Sequence, residues 1–122
     1  MIRTEAIIGV CNVEKSSKWY QKLLGCKSNH GGQYFEILAD QYETTILNLH
    51  KWEEHGHPTL NNPKMAENGL ILYFRVDNLE EIWQNAKSLS AVIEEEPNLN
   101  QNSGRKEFSI RDIDNYYLII SL

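Results

Sequence analysis

The spacing of apolar residues switches between a two-residue and a helical period, in the same order in each half of the chain. Over residues 4–10, Ala6, Ile8 and Val10 share one side and Glu5, Ile7 and Gly9 the other, which predicts a strand. Val13, Ser17, Tyr20 and Leu24 then fall at helical spacing and predict a buried stripe over 13–24. Asn12 is placed to accept from an early backbone N–H of that helix, and Glu14 suits the positive end of its dipole. Gly25 supplies the left-handed residue that ends it. Residues 26–30 read as an edge segment before a Gly31-Gly32 turn, and 34–39 with 42–49 as a hairpin about Asp40-Gln41. The first half is therefore expected to run β-α-β-β-β.

The second half repeats the first. Residues 69–76 alternate as a strand, Asn78 stands at a cap, and Leu79, Ile82, Trp83, Ala86 and Leu89 mark a helix over 79–89. A shift of 66 positions lays Val10 on Val76, Asn12 on Asn78 and Glu14 on Glu80. Residues 90–103 hold a strand and a polar turn, and 106–111 with 116–122 close the chain as a hairpin. Here a shift of 73 lays Phe35 on Phe108, Ile37 on Ile110 and Leu49 on Leu122, which implies about seven inserted residues between Leu89 and Lys106. Residues 50–68 lack periodicity and carry Gly56, Pro58, Asn61, Asn62 and Pro63, so they read as the connection between the halves.

Composition narrows the partners. At 122 residues the chain has room for one domain with a real core. A net charge of -5 argues against sequence-independent binding of nucleic acid, which needs clustered Lys and Arg. No apolar run has the length of a membrane span, and residues 1–5 lack the features of a signal peptide. The expectation is a cytoplasmic protein with Cys11 and Cys26 as free thiols.

Candidate chemistry is sparse. His50, His55 and His57 form an H-x4-H-x-H run that offers a metal site on paper, but it reads first as a solvated polar loop. Gly31-Gly32 opens no helix, so there is no phosphate loop, and no Ser or Cys stands in a nucleophile elbow. Cys11 precedes the first helix and reads as a structural thiol.

Three words carry a family resemblance: Val10-Cys11-Asn12-Val13, then Trp19-Tyr20, then Leu23-Leu24-Gly25. Residues 72–79 resemble their counterpart in the second half. Lys106-Glu107-Phe108-Ser109-Ile110-Arg111-Asp112 is similar to the pattern R-E-F-x-h-x-D-P-D-G-N, with h apolar. The chain departs from it at Ile113 and at Asn115-Tyr116. Together these resemble the glyoxalase, bleomycin-resistance and extradiol-dioxygenase superfamily, the vicinal-oxygen-chelate fold. The resemblance implies an α+β fold of two βαβββ modules curling into a mixed-sheet cup, often completed across a homodimer. It makes residues 1–122 one domain, with modules at about 1–50 and 69–122 and a connecting loop at 51–68.

In metal-dependent members the ligands come from the first and last strands of each module. The corresponding positions here read Glu5, Ile46, Ile71 and Ile119, one carboxylate and three hydrocarbons. The resemblance therefore implies no metal and no cofactor. The cup would be a small-molecule pocket lined by Glu5, Ile7, Tyr34, Ile46 and Trp52 from the first module and by Ile71, Tyr73, Arg75, Glu107 and Tyr117 from the second. Glu5 and Arg75 are expected to face the same concavity. The implied function is metal-free binding of a small molecule, drug sequestration included, with a cationic or neutral ligand favoured by the acidic balance. The competing readings are a metal-dependent glyoxalase-like isomerase or lyase, an epimerase or a dioxygenase, and a protein-interaction module.

Overall fold

The computed structural model describes residues 1–54, 59–60 and 69–122. The chain divides into two compact units, Met1–Ala66 and Glu67–Leu122. The first holds β1 (Ile7–Val10), α1 (Val13–Leu24), β2 (Lys27–His30), β3 (Phe35–Ala39) and β4 (Thr45–Lys51). The second holds β5 (Ile71–Arg75), α2 (Leu79–Ser88), β6 (Val92–Leu99), β7 (Lys106–Arg111) and β8 (Tyr117–Ser121). Each unit is one mixed sheet with one helix, in the orders β1-β4-β3-β2 and β5-β8-β7-β6. The first strand pairs parallel with the last, and the remaining ladders are antiparallel. The expected α+β fold of two βαβββ modules is thus present.

Local chemistry sets the helix ends. Asn12 Oδ1 accepts from Lys15 N–H at 2.9 Å, and Gly25 closes α1 with φ 71°, its N–H donating to Gln21 O at 3.0 Å. Asn78 differs from its counterpart. Its side chain makes no bond to the helix backbone and instead donates to Glu81 Oε2 at 3.0 Å, so these two residues, spaced as in a capping box, close side chain to side chain. The α1 stripe is also wider than its spacing predicts: Ser16, Trp19 and Leu23 are buried with Val13, Ser17 and Tyr20, and Leu24 is half-buried.

Both hairpins turn on an aspartate. Asp40 Oδ1 accepts from the N–H groups of Tyr42 and Thr44 at 2.8 and 3.0 Å. Asp112 Oδ1 accepts from those of Asp114 and Tyr116, both at 2.9 Å. The fourth residue of each turn has positive φ, 66° at Glu43 and 72° at Asn115. Asparagine tolerates that conformation well, so the closing turn survives although Asn115 stands where the family pattern has Gly.

The aspartates are 72 positions apart, which corrects the shift of 73. Beyond the turn the offset falls to 71, because Leu38 pairs with Leu47 and Ala39 with Thr45, leaving Ile46 as an extra, bulged residue. Parallel pairing agrees: Ile7 faces Asn48, and its equivalent Tyr73 faces Ile119. Ile119 therefore corresponds to Asn48 rather than to Ile46, and Phe108 corresponds to Glu36 rather than to Phe35.

That last equivalence separates the two cores. Beneath α2, Trp83 packs edge-on against Phe108, with ring centroids 5.1 Å apart. Beneath α1 the same two positions are Ser17 and Glu36. Ser17 Oγ donates to Glu36 Oε2 at 2.7 Å, and Ser28 Oγ lies 2.9 Å from both carboxylate oxygens. Glu36 is buried on the helix side among Leu38, Leu47 and Leu49. Nearby, burial pushes the Cys26 thiol up to about 11, opposed by a backbone hydrogen bond and assisted by Glu36, so this sulfur stays protonated and unreactive near neutral pH.

Removing one partner of the buried Ser17–Glu36 bond should be costly. We expect Ser17→Ala to destabilise the protein by about 1.5–3 kcal/mol, as for hydrogen bonds to charged groups. The loss should shrink by at least half in a Glu36→Gln background, where no charge is left stranded. Urea unfolding of both single variants and the double variant measures the coupling, and additive losses would contradict it.

Candidate functional site

In the second unit, strand alternation sends Leu72, Phe74, Phe108, Ile110, Leu118 and Ile120 toward α2. The opposite face is a grid. Ile71, Tyr73 and Arg75 on β5 lie beside Tyr117, Ile119 and Ser121 on β8, and these beside Arg111, Ser109 and Glu107 on β7. The second-module candidates Ile71, Tyr73, Arg75, Glu107 and Tyr117 all belong to this one face, Arg75 with the parity its strand pattern predicts.

The face combines exposed apolar surface with buried polar groups. Ile71 is 56% and Tyr73 43% exposed, whereas Glu107 is 7% exposed. The Tyr73 hydroxyl donates to Glu107 Oε2 at 3.1 Å, and Asn100 Nδ2 donates to Oε1 at 2.6 Å. The Tyr117 hydroxyl donates to Ser109 Oγ at 2.9 Å. The Arg111 guanidinium lies 4.9 Å from the Tyr117 ring centre and donates to Glu94 Oε1 at 3.1 Å. Arg75 Nε donates to the backbone oxygen of Leu122 at 3.0 Å.

The first-module candidates are arranged differently. Glu5 is exposed in the segment before β1, which begins at Ile7 and not at residue 4. Ile7 is 47% exposed on the side away from α1. On that side the Trp52 indole lies over Gly9 so closely that a Cβ there would stand 2.6 Å from its Cε2 and Cζ2 atoms. Trp52 N–H also donates to Val10 O at 3.2 Å. Tyr34 precedes β3 and carries Lys51 Nζ 5.6 Å from its ring centre. Ile46 is the half-buried bulge residue. His50 is not a loop residue: it belongs to β4 and is buried, with Nδ1 2.7 Å from Lys51 O and its ring edge-on to Phe35. His55 and His57 lie outside the described residues.

With the corrected equivalence, the positions that would supply a metal are Glu5, Asn48, Ile71 and Ile119. Ile71 and Ile119 offer no lone pair. Asn48 is buried and its Nδ2 donates to Ala6 O at 3.3 Å. Among the described residues no three His, Cys, Asp or Glu side chains stand together. This donor set does not fit a divalent ion held in the family's manner.

Asn100, Ser109 and Arg111 escaped the sequence reading. Their signal was present only as parity with Glu107 along β7 and as an Asn-rich turn before it. A depression of about 280 Å³ also opens beside the start of α2, lined by Asp77, Asn78, Leu79, Glu80, Glu81, Lys106 and Leu122, none of them a candidate.

The family model described as the Glyoxalase/Bleomycin resistance protein/Dioxygenase superfamily matches residues 4–120. Similar solved structures include hypothetical protein SA1046 from S. aureus, 21% identical with TM-score 0.78, covering 100% of this chain and 94% of that one. A bleomycin resistance determinant encoded on the transposon Tn5 is 19% identical with TM-score 0.71, covering 99% and 97%. A possible glyoxalase from Bacillus cereus is 17% identical with TM-score 0.68, covering 100% and 99%. At these identities the likeness establishes the fold. A comparison with curated proteins finds no match.

The Trp52–Gly9 contact has a measurable consequence. Gly9→Ala forces the indole off the strand, with an expected loss of about 1–3 kcal/mol typical of overpacking. Tryptophan fluorescence should shift together with the unfolding midpoint. Unchanged emission and stability would show that the ring does not rest there.

Proposed function

The chain belongs to the glyoxalase/bleomycin resistance/dioxygenase superfamily, and on that premise we propose that it is a metal-free binding protein for small organic molecules, with drug sequestration among its uses. The observation that carries this reading is the face of the second sheet away from α2. Exposed Ile71 and Tyr73 share that face with a buried carboxylate, Glu107, to which the Tyr73 hydroxyl donates, the mixture of apolar surface and few polar anchors that small-molecule sites present. Hydrocarbon at residues 71 and 119 supports the metal-free part. A Lewis-acid mechanism needs several converging donors, and these side chains instead offer apolar surface at about 25 cal/mol per Å² buried.

The test has two arms. After dialysis against zinc, nickel, manganese and iron, elemental analysis should find well under one ion per chain. Retention near one ion per chain that Glu5→Ala abolishes would overturn the reading and restore a metal-dependent isomerase, lyase or dioxygenase. A thermal-shift panel of neutral and cationic aromatic compounds should yield stabilisers, since a ligand at 100 times its Kd adds about 2.7 kcal/mol.

We also propose a homodimer, because unit faces of this kind leave apolar surface to be covered. β6 is a poor seam: seven of its eight residues are exposed, and Glu94, Glu95, Glu96 and Pro97 protect that edge from strand addition. Light scattering at micromolar concentration should give twice the chain mass, and a monomer there would refute the assembly.

A further inference from the structure

Glu107 differs from the other buried carboxylates among the described residues. Asp112 is consumed by backbone N–H groups of its turn, and Glu36 lies on the helix side and takes two serine hydroxyls. Glu107 lies on the side away from the helix, in a row with Ser121 and Arg75 and bonded to the exposed Tyr73. Its donors, a phenol and an amide, are both uncharged. Neither the Lys27–Glu43 nor the Arg111–Glu94 ion pair includes it. A carboxylate offers about four lone-pair sites, so room for further donors remains. Buried charges are ordinarily paired; among the described residues Glu107, like Glu36, meets only neutral donors, and of the two only Glu107 lies on the side its helix does not cover.

The arginines of the same face are engaged elsewhere: Arg111 with Glu94, the Asn115 carbonyl and the Tyr117 ring, and Arg75 with the Leu122 carbonyl. Asn100 is itself held, its Oδ1 accepting from the N–H groups of Asn102 and Ser103 at 2.8 and 3.2 Å. The carboxylate is thus clamped from a preformed turn on one side and by Tyr73 on the other. The β5 and β7 backbones are two strand spacings apart, roughly 10 Å, room for an apolar chain or ring over Ile119 between them.

Resting on the reading that this face binds small molecules, we infer that its ligand class is an organic monocation. A protonated amine bonds to Glu107, and its apolar or aromatic body lies across Tyr73 and Ile119. An ammonium brings three donors and no acceptor, so it fills the remaining lone pairs and supplies the missing charge. Charge-assisted bonds of this kind are roughly twice as strong as neutral ones, and the Tyr73 ring adds attraction for the cation. A neutral analogue leaves the charge uncompensated, and an anion is repelled.

Three probes of one skeleton test this on the full chain: 4-phenylbutylamine, 4-phenylbutanol and 4-phenylbutyrate, titrated by amide chemical shifts. The amine should bind at least about tenfold tighter than the alcohol, with the acid weakest. Its largest shifts should fall at Tyr73, Asn100 and Glu107. Glu107→Gln should cut the amine's affinity to about that of the alcohol and change the alcohol's far less, whereas Tyr73→Phe should keep the preference for the amine. Equal binding of amine and alcohol by the unmodified protein would overturn the charge anchor and leave the small-molecule reading standing. A preference that survives Glu107→Gln, or shifts confined to other residues, would also overturn it. Failure of all three probes to bind would remove both the inference and the reading beneath it. Should the Gln variant not fold, the unmodified protein's probe ranking and shift map still decide.

Discussion

The parallel pairing of the first strand with the last controls everything else in each unit. Parallel neighbours cannot be joined by a tight turn, so a long crossover must intervene, and here a helix and two further strands do before β4 returns to β1, or β8 to β5. The helix that makes the crossover covers one side of the sheet. Alternation then divides every strand: Ile8 and Leu49, or Leu72 and Leu118, go under the helix, while Ile7 and Asn48, or Tyr73 and Ile119, go to the other side. A unit built this way always has one side its own helix does not cover, and that side is where binding residues can be placed without disturbing the core.

The same frame tolerates quite different contents. Glu36 with Ser17 and Phe108 with Trp83 occupy matching positions, yet one pair is a charge-assisted hydrogen bond and the other an aromatic contact. Both work because each satisfies its own requirement: the carboxylate has three hydroxyl contacts, and the rings meet edge to face. What the units keep in common is backbone chemistry. Asp40 and Asp112 collect the same two N–H groups, because a five-residue turn must satisfy them whichever side chains follow.

The order of elements and both helices were readable from period alone, since Asn12, Gly25 and the apolar stripes act locally. The strand register of the second hairpins was not. Matching Phe35 to Phe108 by residue type put the offset one position too high, and matching Leu49 to Leu122 also passed over the bulge at Ile46, which leaves no trace in hydrophobicity because Ile46 and Leu47 are both apolar. Burial of Glu36 was invisible for a related reason: its partners Ser17 and Ser28 lie on other elements, and only the fold assembles them. On the site, parity within each strand assigned Ile71, Tyr73, Arg75, Glu107 and Tyr117 to one face, because alternation along β5, β7 and β8 does not depend on the offset between the two halves. Asn100 came from a turn whose conformation no period encodes. His50 was misplaced into the connection because β4 runs to Lys51, beyond the last strongly apolar residue.

Tyr73 shows how binding and folding share one side chain. Its hydroxyl satisfies Glu107 while its ring remains 43% exposed, so the group that makes the buried carboxylate tolerable is also the surface that the proposed ligand would meet. Neutral donors reduce the desolvation penalty of a carboxylate without cancelling its charge. In the proposed site the Glu107 carboxylate thus stands at a fixed point of the face with only neutral donors among the described residues. A cation arriving there is opposed by little reorganisation, because Asn100 and Tyr73 already hold the carboxylate in place. In the proposed site selectivity would come from that carboxylate's charge, and hydrocarbon at Ile119, between β5 and β7, would strengthen it by limiting the water that screens the charge.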